Sequence, residues 1–300
     1  MFDRIRLRRD LMDCHGQVLA RRGMLVSAET IAEAARESRP GPSTSLAETF
    51  AAEDVHTPLE EHGYRHLFRS ASAQAAVART MLAVRLPVAL FEELQAMKLS
   101  DPLRYDHALA TAAVATRMLA VGAGEARLVP DIAAAALLHD IGMRHLPGRL
   151  VRGPEPLRGH ETVEVAEHPF LGALHLARVL GPHPAVDAAL GHHWRNGQGY
   201  PDLARRPSRA LEVVAVASAF AALTQARSYR SDPFGPRGAA DVLVQEAAAE
   251  RMDPSAVKLL VHALRGGAGE IGVLRFARAR QAGPAENHYT AIVAPVRSFI

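Results

Sequence analysis

The chain has 300 residues, enough for a main domain with a large buried core and a smaller appended domain. Hydrophobic residues make up 48% and charged residues 22%, as in ordinary soluble proteins. The formal net charge of +3 is small and scattered, which argues against a nucleic-acid polymer as partner. No apolar stretch is long enough to cross a bilayer, no signal-peptide pattern begins the chain, and Cys14 is its single cysteine, so we expect a cytoplasmic protein without membrane contact.

Residues 1–37 are predicted to form a small α+β module of strands and one helix. Gly16 and Gly23 mark turns between short apolar runs, and Ser27 is a typical N-cap for the helical sequence that follows it. Residues 38–58 are rich in proline, serine, threonine and glycine and have no sustained period, which predicts a linker.

The rest of the chain is predicted to be helical, which makes the fold mainly α. We expect residues 59–96 to form connecting helices and residues 97–265 to form a helical-bundle domain. Residues 266–300 contain two strand-like runs, which predict a tail that pairs as a β-hairpin or extends the N-terminal module. Apolar residues recur at helical spacing over 72–84, 87–97, 107–121, 130–142, 161–180, 209–226, 239–250 and 253–264.

Histidines and one aspartate are the candidates for chemistry. Asp140 follows His139 at the end of an apolar helical segment, where a carboxylate is costly to bury unless a cation neutralises it. A divalent metal ion would neutralise the carboxylate and also bind the imidazole. A single histidine on an apolar helix is more often a core or surface residue, so the argument depends on the whole set. That set is His107, His139, His168, His192 and His193, with His145 as a poorer candidate.

Four sequence stretches carry a family resemblance: "HDIGM", "EHPFLG", "HHWRNGQGYP" and "VASAFAALTQARSYR". In order and spacing they resemble the HD-GYP subgroup of the HD-domain metal-dependent phosphohydrolases, over residues 97–250. The N-terminal "GQVLARRGMLVSAETI" resembles, less specifically, modules that often precede such domains. The resemblance implies a helical bundle that holds two or three metal ions, commonly iron or manganese, and hydrolyses cyclic di-GMP to linear pGpG or GMP. Zinc and nickel suit the same ligands.

The resemblance also implies roles for individual residues. His139 and Asp140 would form the catalytic pair, and Tyr200 lies in a turn that shapes a loop beside the site. Tyr200, Arg227 and Arg230 would bind the substrate, although a solvated helix end is the ordinary interpretation of the two arginines. The implied metal ligands are His107, His139, Asp140, His168, His192 and His193.

The chain departs from the family pattern at positions near these motifs, and the departures remove charges. The changes are Ser218 and Ala221 in place of aspartates, Met143 in place of lysine, Trp194 and Leu103 in place of glutamates, and Asn196 in place of aspartate. One metal position would keep one carboxylate and three histidines, whereas the other would keep two histidines and the shared Asp140. We therefore expect one firm and one labile metal position.

Two functions stay open from the sequence. The first is a metal-dependent phosphodiesterase for cyclic di-GMP or a related nucleotide, weakened by Ser218 and Met143. The second is a catalytically impaired signalling protein that binds a cyclic dinucleotide, or a protein partner such as a diguanylate cyclase, without turnover. The ordered histidine series favours the enzyme, and the lost charges favour signalling. A plain helical scaffold would need the whole histidine series to arise by coincidence.

Overall fold

The computed structural model describes residues 2–122, 129–152, 157–196, 198–226, 232–267, 270–274 and 276. This part of the chain is mainly helical and includes three two-stranded antiparallel sheets. The strands are β1 (Arg4–Arg6), β2 (Leu11–Met12), β3 (Val18–Ala20), β4 (Leu25–Ser27), β5 (Ser43–Ser45) and β6 (Arg85–Pro87). The helices are α1 (Ala28–Glu37), α2 (Thr57–Glu60), α3 (Ala71–Leu82), α4 (Val88–Ser100), α5 (Pro102–Gly122), α6 (Val129–Leu138), α7 (Gly148–Arg152), α8 (Gly159–Val165), α9 (His168–Leu180), α10 (Pro184–Gly191), α11 (Arg209–Thr224), α12 (Pro236–Ala248) and α13 (Pro254–Leu264). No helix among these residues is long and apolar enough to span a bilayer.

The N-terminal residues fold into two small sheets and one helix. Strand β1 pairs with β4, and β2 pairs with β3. Gly16 and Gly23 have φ angles of 80° and 87°, a left-handed conformation that glycine adopts without steric cost. The Ser27 side chain accepts a hydrogen bond from the backbone N–H of Thr30 and so caps the start of α1. Helix α1 then packs against α9 and joins this module to the rest of the fold.

Residues 38–58 belong to the folded core and do not form the linker that their composition predicts. Strand β5 pairs with β6, which lies about forty residues further along the chain. Leu46 and Val55 are fully buried. These apolar side chains stand at irregular spacing, so a search for periodicity does not detect them, yet their burial is sufficient to hold the segment in place.

Helix α5 is the centre of the helical domain. It starts where Asp101 accepts a hydrogen bond from the backbone N–H of Arg104, and Pro102 occupies its first position. Helix α5 packs against α6 and α11, and α10 packs against α6 and α9. The alanines of α6 are buried, and their small side chains let the neighbouring helices approach closely.

The predicted helices are present, with two differences that concern the candidate site. The segment 161–180 is divided into α8 and α9, and His168 is the first residue of α9. Pro169 explains the break, because proline fits the first turn of a helix but disrupts its interior. Helix α10 does not appear among the segments with a helical apolar period. The predicted β-hairpin of the tail lies almost wholly outside the described residues.

A close approach of two backbones lies beneath the candidate site. The 3₁₀ turn Ile141–His145 follows α6 and lies directly on the first turn of α9. A Cβ atom at Gly142 would overlap the carbonyl oxygen of His168 and lie 2.9 Å from the Cα atom of Gly172. Only glycine permits this crossing, which brings Asp140 and His168 to the same point.

Gly142→Ala tests this packing. We expect a loss of roughly 2 kcal/mol or more in the free energy of unfolding, because the added methyl group forces the turn away from α9. Gly159→Ala is the matched control, since a Cβ atom there meets nothing within 4 Å. Urea unfolding followed by circular dichroism measures both variants. Equal stability of Gly142→Ala and the wild type would contradict the crossing.

Candidate metal centre

Four segments bring ligand-type side chains to one place in the bundle. Helix α5 carries His107 in its second turn, and the end of α6 presents His139 and Asp140. His168 begins α9, and His192 with His193 follows the last turn of α10. All of these side chains except His107 stand at a helix end. Side chains from helix ends can converge there because no further turn of the same helix blocks the space.

The first group of ligand-type atoms contains Asp140, His168, His192 and His193, all within 4.8 Å of one another. The Nε2 atoms of His168 and His192 are 3.2 Å apart. The Oδ1 atom of Asp140 lies 3.3 Å from the His168 Nε2 atom and 3.7 Å from the His192 Nε2 atom. Three electron-rich atoms therefore face one another across a space of ionic size.

The second group contains His107, His139 and the same Asp140, again within 4.8 Å. The rings of His107 and His139 are 5.4 Å apart, and the ring of His192 lies 4.9 Å from that of His139. The two groups are thus adjacent and share one carboxylate. This is the arrangement that two neighbouring metal ions bridged by an aspartate would require.

Backbone carbonyl groups fix the orientation of three histidines. The Nδ1–H of His139 donates to the carbonyl of Ala136 at 2.7 Å, and the Nδ1–H of His168 donates to that of Val165 at 2.7 Å. His192 Nδ1 lies 3.0 Å from the carbonyl of Ala189. Because a carbonyl only accepts, Nδ1 carries the proton in each ring, and the Nε2 lone pair points to the centre. Such anchoring of the distal nitrogen is typical of metal-ligating histidines.

The residues fit a divalent metal ion by two further observations. The Nε2 atom of His139 is buried and has no hydrogen-bond partner among the described residues. The facing Nε2 atoms of His168 and His192 cannot bond to each other when both carry their proton on Nδ1. Unsatisfied lone pairs in a buried place are costly, and a bound cation would satisfy them.

Burial keeps three of the imidazoles neutral, which is the form that binds metal. Burial lowers the pKa of His139 to about 4 and that of His168 to about 3. Burial likewise holds the pKa of His193 well below its ordinary value. At neutral pH the rings of His139, His168 and His193 are therefore neutral and do not have to release a proton to become metal ligands.

Asp140 stays ionised in the same place. Burial alone would raise its pKa, but its polar neighbours, His192 first and then His168, hold the pKa well below the usual range. The Arg104 guanidinium acts in the same direction. An anionic carboxylate beside neutral imidazoles is the donor set that transition metals bind.

Of the other predicted site residues that the structure describes, one contacts the first group and one lies apart from both groups. The Tyr200 ring stacks on the His193 ring with centroids 4.6 Å apart and is buried, so it supports this ligand-type histidine directly. His145 lies outside both groups, with its Nε2 atom 3.0 Å from the Nδ1 atom of His175. Arg227 and Arg230 lie outside the described residues.

Four of the positions that depart from the family pattern have uncharged side chains with different surroundings. The Ser218 hydroxyl is 3.4 Å from the His107 Nε2 atom, so serine stands where a carboxylate would face the second group. Met143 packs against the hydrophobic core, and the Trp194 ring has the Arg206 guanidinium 5.7 Å from its centroid. Leu103 is 55% exposed. Of these positions, Ser218 is the one whose side chain faces a ligand-type histidine.

Two residues beside the site were not among those that the sequence predicts. The Arg104 guanidinium donates to Asp140 Oδ2 at 3.1 Å, and the side-chain oxygen of Gln225 accepts from the His107 Nδ1–H at 3.1 Å. Arg104 precedes His107 by three residues on α5, and this spacing on one helix face was a usable signal. Gln225 follows α11 and could be found only from the packing of α11 on α5.

Comparison with known proteins gives the family. The sequence profile described as "HD domain" matches residues 81–256, more than half of the chain, and this range includes every residue of both groups. The chain belongs to the HD domain family. The HD domain supplies its helical bundle and its His139–Asp140 pair.

Relatives of this HD domain protein with curated names are phosphodiesterases. It is 31% identical over 134 residues to "3'3'-cGAMP-specific phosphodiesterase 1" of Vibrio cholerae, covering 42% of this chain and 30% of that protein. It is 33% identical over 151 residues to a cyclic di-GMP phosphodiesterase of Pseudomonas aeruginosa, covering 49% and 36% respectively. The chain therefore spans about a third of the length of these relatives.

Among solved structures, the HD domain of L. monocytogenes phosphodiesterase PgpH in complex with cyclic-di-AMP was found with a TM-score of 0.44. The sequences are 17% identical, and the match covers 62% of this chain and 99% of the other.

Asp140→Asn should abolish metal binding at both groups, because they share this carboxylate. His107→Ala should leave one tightly held ion, since the first group does not include His107. Elemental analysis of protein purified without a histidine tag, supplied with iron and manganese and kept free of chelators, measures both. The exposed His160 provides the control His160→Ala, which should retain wild-type metal content. Retention of full metal content by Asp140→Asn would contradict the shared-carboxylate arrangement.

Proposed function

We propose that the chain is a metal-dependent phosphodiesterase of the HD-GYP subgroup that hydrolyses cyclic di-GMP or a related cyclic dinucleotide. One observation carries the proposal: unprotonated Nε2 atoms of His168 and His192 face each other and Asp140 at 3.2 to 3.7 Å in a buried place. This arrangement is unfavourable without a cation and favourable with one. The curated names of the relatives, all phosphodiesterases of cyclic dinucleotides, support the choice of substrate class.

The first group would hold the firm ion and the second group the labile one. When bound, a divalent ion supplies a nucleophile by lowering the pKa of water and offsets the negative charge that develops on the phosphoryl oxygens. Iron and manganese are the proposed ions, and the imidazole and carboxylate ligands suit zinc or nickel as well.

The protein's own residues orient the donors and keep bulk water away from them. Backbone carbonyls hold the three Nδ1–H groups, so the imidazoles do not rotate when an ion or substrate enters. Tyr200 stacks on His193 and closes one side of the site. We propose that the Tyr200 turn, with Arg227 and Arg230, contacts the nucleotide phosphates.

Loss of the carboxylate at position 218 should lower the activity. His107 and His139 provide two neutral donors, and their one anionic partner, Asp140, is shared with the first group. Fewer anionic ligands mean weaker binding of the second ion. We therefore propose slow turnover by a site that holds one ion firmly.

A second candidate function is a signalling protein that binds the nucleotide or a protein partner, such as a diguanylate cyclase, without turnover. The contacts of the N-terminal module favour it. Arg8 pairs with Glu167, which immediately precedes His168, at 3.0 Å. Arg144, four residues after Asp140, donates to the carbonyl of Met12 at 2.9 Å. A nucleotide that shifts residues of the metal centre would therefore also shift the contacts of this module.

Ser218→Asp separates the two functions. The side chain lies between Ala217 and Ala219, beside His107, so a carboxylate adds an anionic ligand with little overpacking. We expect metal content to rise toward two ions and hydrolysis of cyclic di-GMP to rise about tenfold or more. Met143→Lys should add to this by pairing with a phosphate oxygen. Chromatography of the pGpG and GMP products measures turnover.

The matched control is Ser208→Asp, which adds the same charge at the exposed N-cap of the same helix and should change neither quantity. If metal content rises while cyclic di-GMP stays intact in the single and double variants, the enzyme proposal fails. Calorimetry with cyclic di-GMP then tests the signalling proposal, which fails if neither the wild type nor the variants bind it.

A further inference from the structure

Arg104 places a permanent positive charge inside the candidate metal centre. It lies one turn before His107 on α5, and 8% of its side chain is exposed. Its Nη1 atom donates to Asp140 Oδ2 at 3.1 Å, and its Nε atom donates to Asp101 Oδ2 at 3.2 Å. A guanidinium does not lose its proton in proteins, so this charge is present whatever else occupies the site.

The two oxygen atoms of Asp140 are divided between different partners. Oδ1 faces the Nε2 atoms of His168 and His192, the donors of the first group. Oδ2 is the atom that remains for an ion in the second group, and Arg104 already holds it. An ion bound by His107 and His139 would therefore share its one carboxylate oxygen with a guanidinium.

The guanidinium is fixed in this position. Asp101 accepts from its Nε atom and also from the Arg104 backbone N–H, so the same carboxylate starts α5 and orients the arginine. A guanidinium held by two carboxylates, through Nε and through Nη1, does not swing away to admit a second cation. Repulsion between two cations at one buried carboxylate then opposes the second ion.

The same placement suits a phosphate group. The contacts to Asp101 and Asp140 use Nε and Nη1, and no bond from Nη2 is found within the described ranges. The planar fork of arginine matches the oxygens of phosphate, and a buried site strengthens such contacts. Arg104 can therefore hold Asp140 through Nη1 and donate to a phosphate oxygen through Nη2.

We propose that Arg104 takes the electrostatic place of a second metal ion: it limits the centre to one tightly bound divalent ion and holds a phosphate oxygen of the nucleotide. The inference rests on the proposed function for its substrate, but the limit of one ion concerns metal binding alone. Arg104 also accounts for the labile second position, together with Ser218.

Titration of metal-free protein with Mn²⁺, followed by electron paramagnetic resonance, tests the limit without any nucleotide. The wild type should take up one ion tightly and show no spin-coupled pair. Arg104→Gln keeps a donor for Asp140 without the charge. A second Mn²⁺ should therefore bind to this variant at least about tenfold more tightly than to the wild type, and the two ions should give a spin-coupled signal. Arg104→Lys keeps the charge and should stay at one ion. Arg251→Met, which removes an arginine paired with Glu246 outside the centre, is the control.

Two equally tight ions in the wild type would overturn the inference, as would a folded Arg104→Gln protein that still takes up one ion. The wild-type result decides by itself if Arg104→Gln does not fold. Hydrolysis by a wild-type protein with two ions would keep the proposed function and reject the role of Arg104. A wild type that takes up one ion and does not hydrolyse the nucleotide would keep the role of Arg104 in metal binding and reject the proposed function. With saturating Mn²⁺, Arg104→Gln should also raise the KM for cyclic di-GMP about tenfold or more, and an unchanged KM would reject the phosphate contact.

Discussion

The buried carboxylate of Asp140 is the constraint on which the rest of the centre depends. It is the one anionic donor shared by both groups of histidines, and it is ionised in a place where an unpaired charge would be very costly. Arg104 reduces that cost at one oxygen atom, and a metal ion held by the histidine rings would reduce it at the other. The close crossing of Gly142 over α9 brings this carboxylate to His168.

The chemistry of the centre follows from the way in which each donor is anchored. Hydrogen bonds from Nδ1 to backbone carbonyls cost the helices nothing, because carbonyls at a helix end have no partner within the helix. The ends of α6 and α10 thus hold the imidazoles and place the unprotonated nitrogens inward. A site built this way is ordered before any ion arrives, so its affinity is not reduced by the cost of ordering the ligands.

The sequence predicted the helical class and the histidine set because both leave strong local signals. Apolar periodicity marks α3 to α6, and the adjacent His139 and Asp140 at a helix end are chemically unusual. Arg104 and Gln225 were missed because their meaning depends on which helices meet. Leu46 and Val55 were assigned to a linker, since isolated apolar residues carry no period. Ser218 was predicted to weaken the centre, and its hydroxyl does face His107.

Anomalous X-ray diffraction from crystals grown with Mn²⁺ tests the central claim most directly, because it locates the ion rather than counting it. The account predicts one strong peak within coordination distance of Asp140 Oδ1 and the Nε2 atoms of His168 and His192, with the guanidinium of Arg104 still on Asp140 Oδ2. A crystal in which Mn²⁺ occupies other residues, or leaves those three side chains as they stand without an ion, would contradict it.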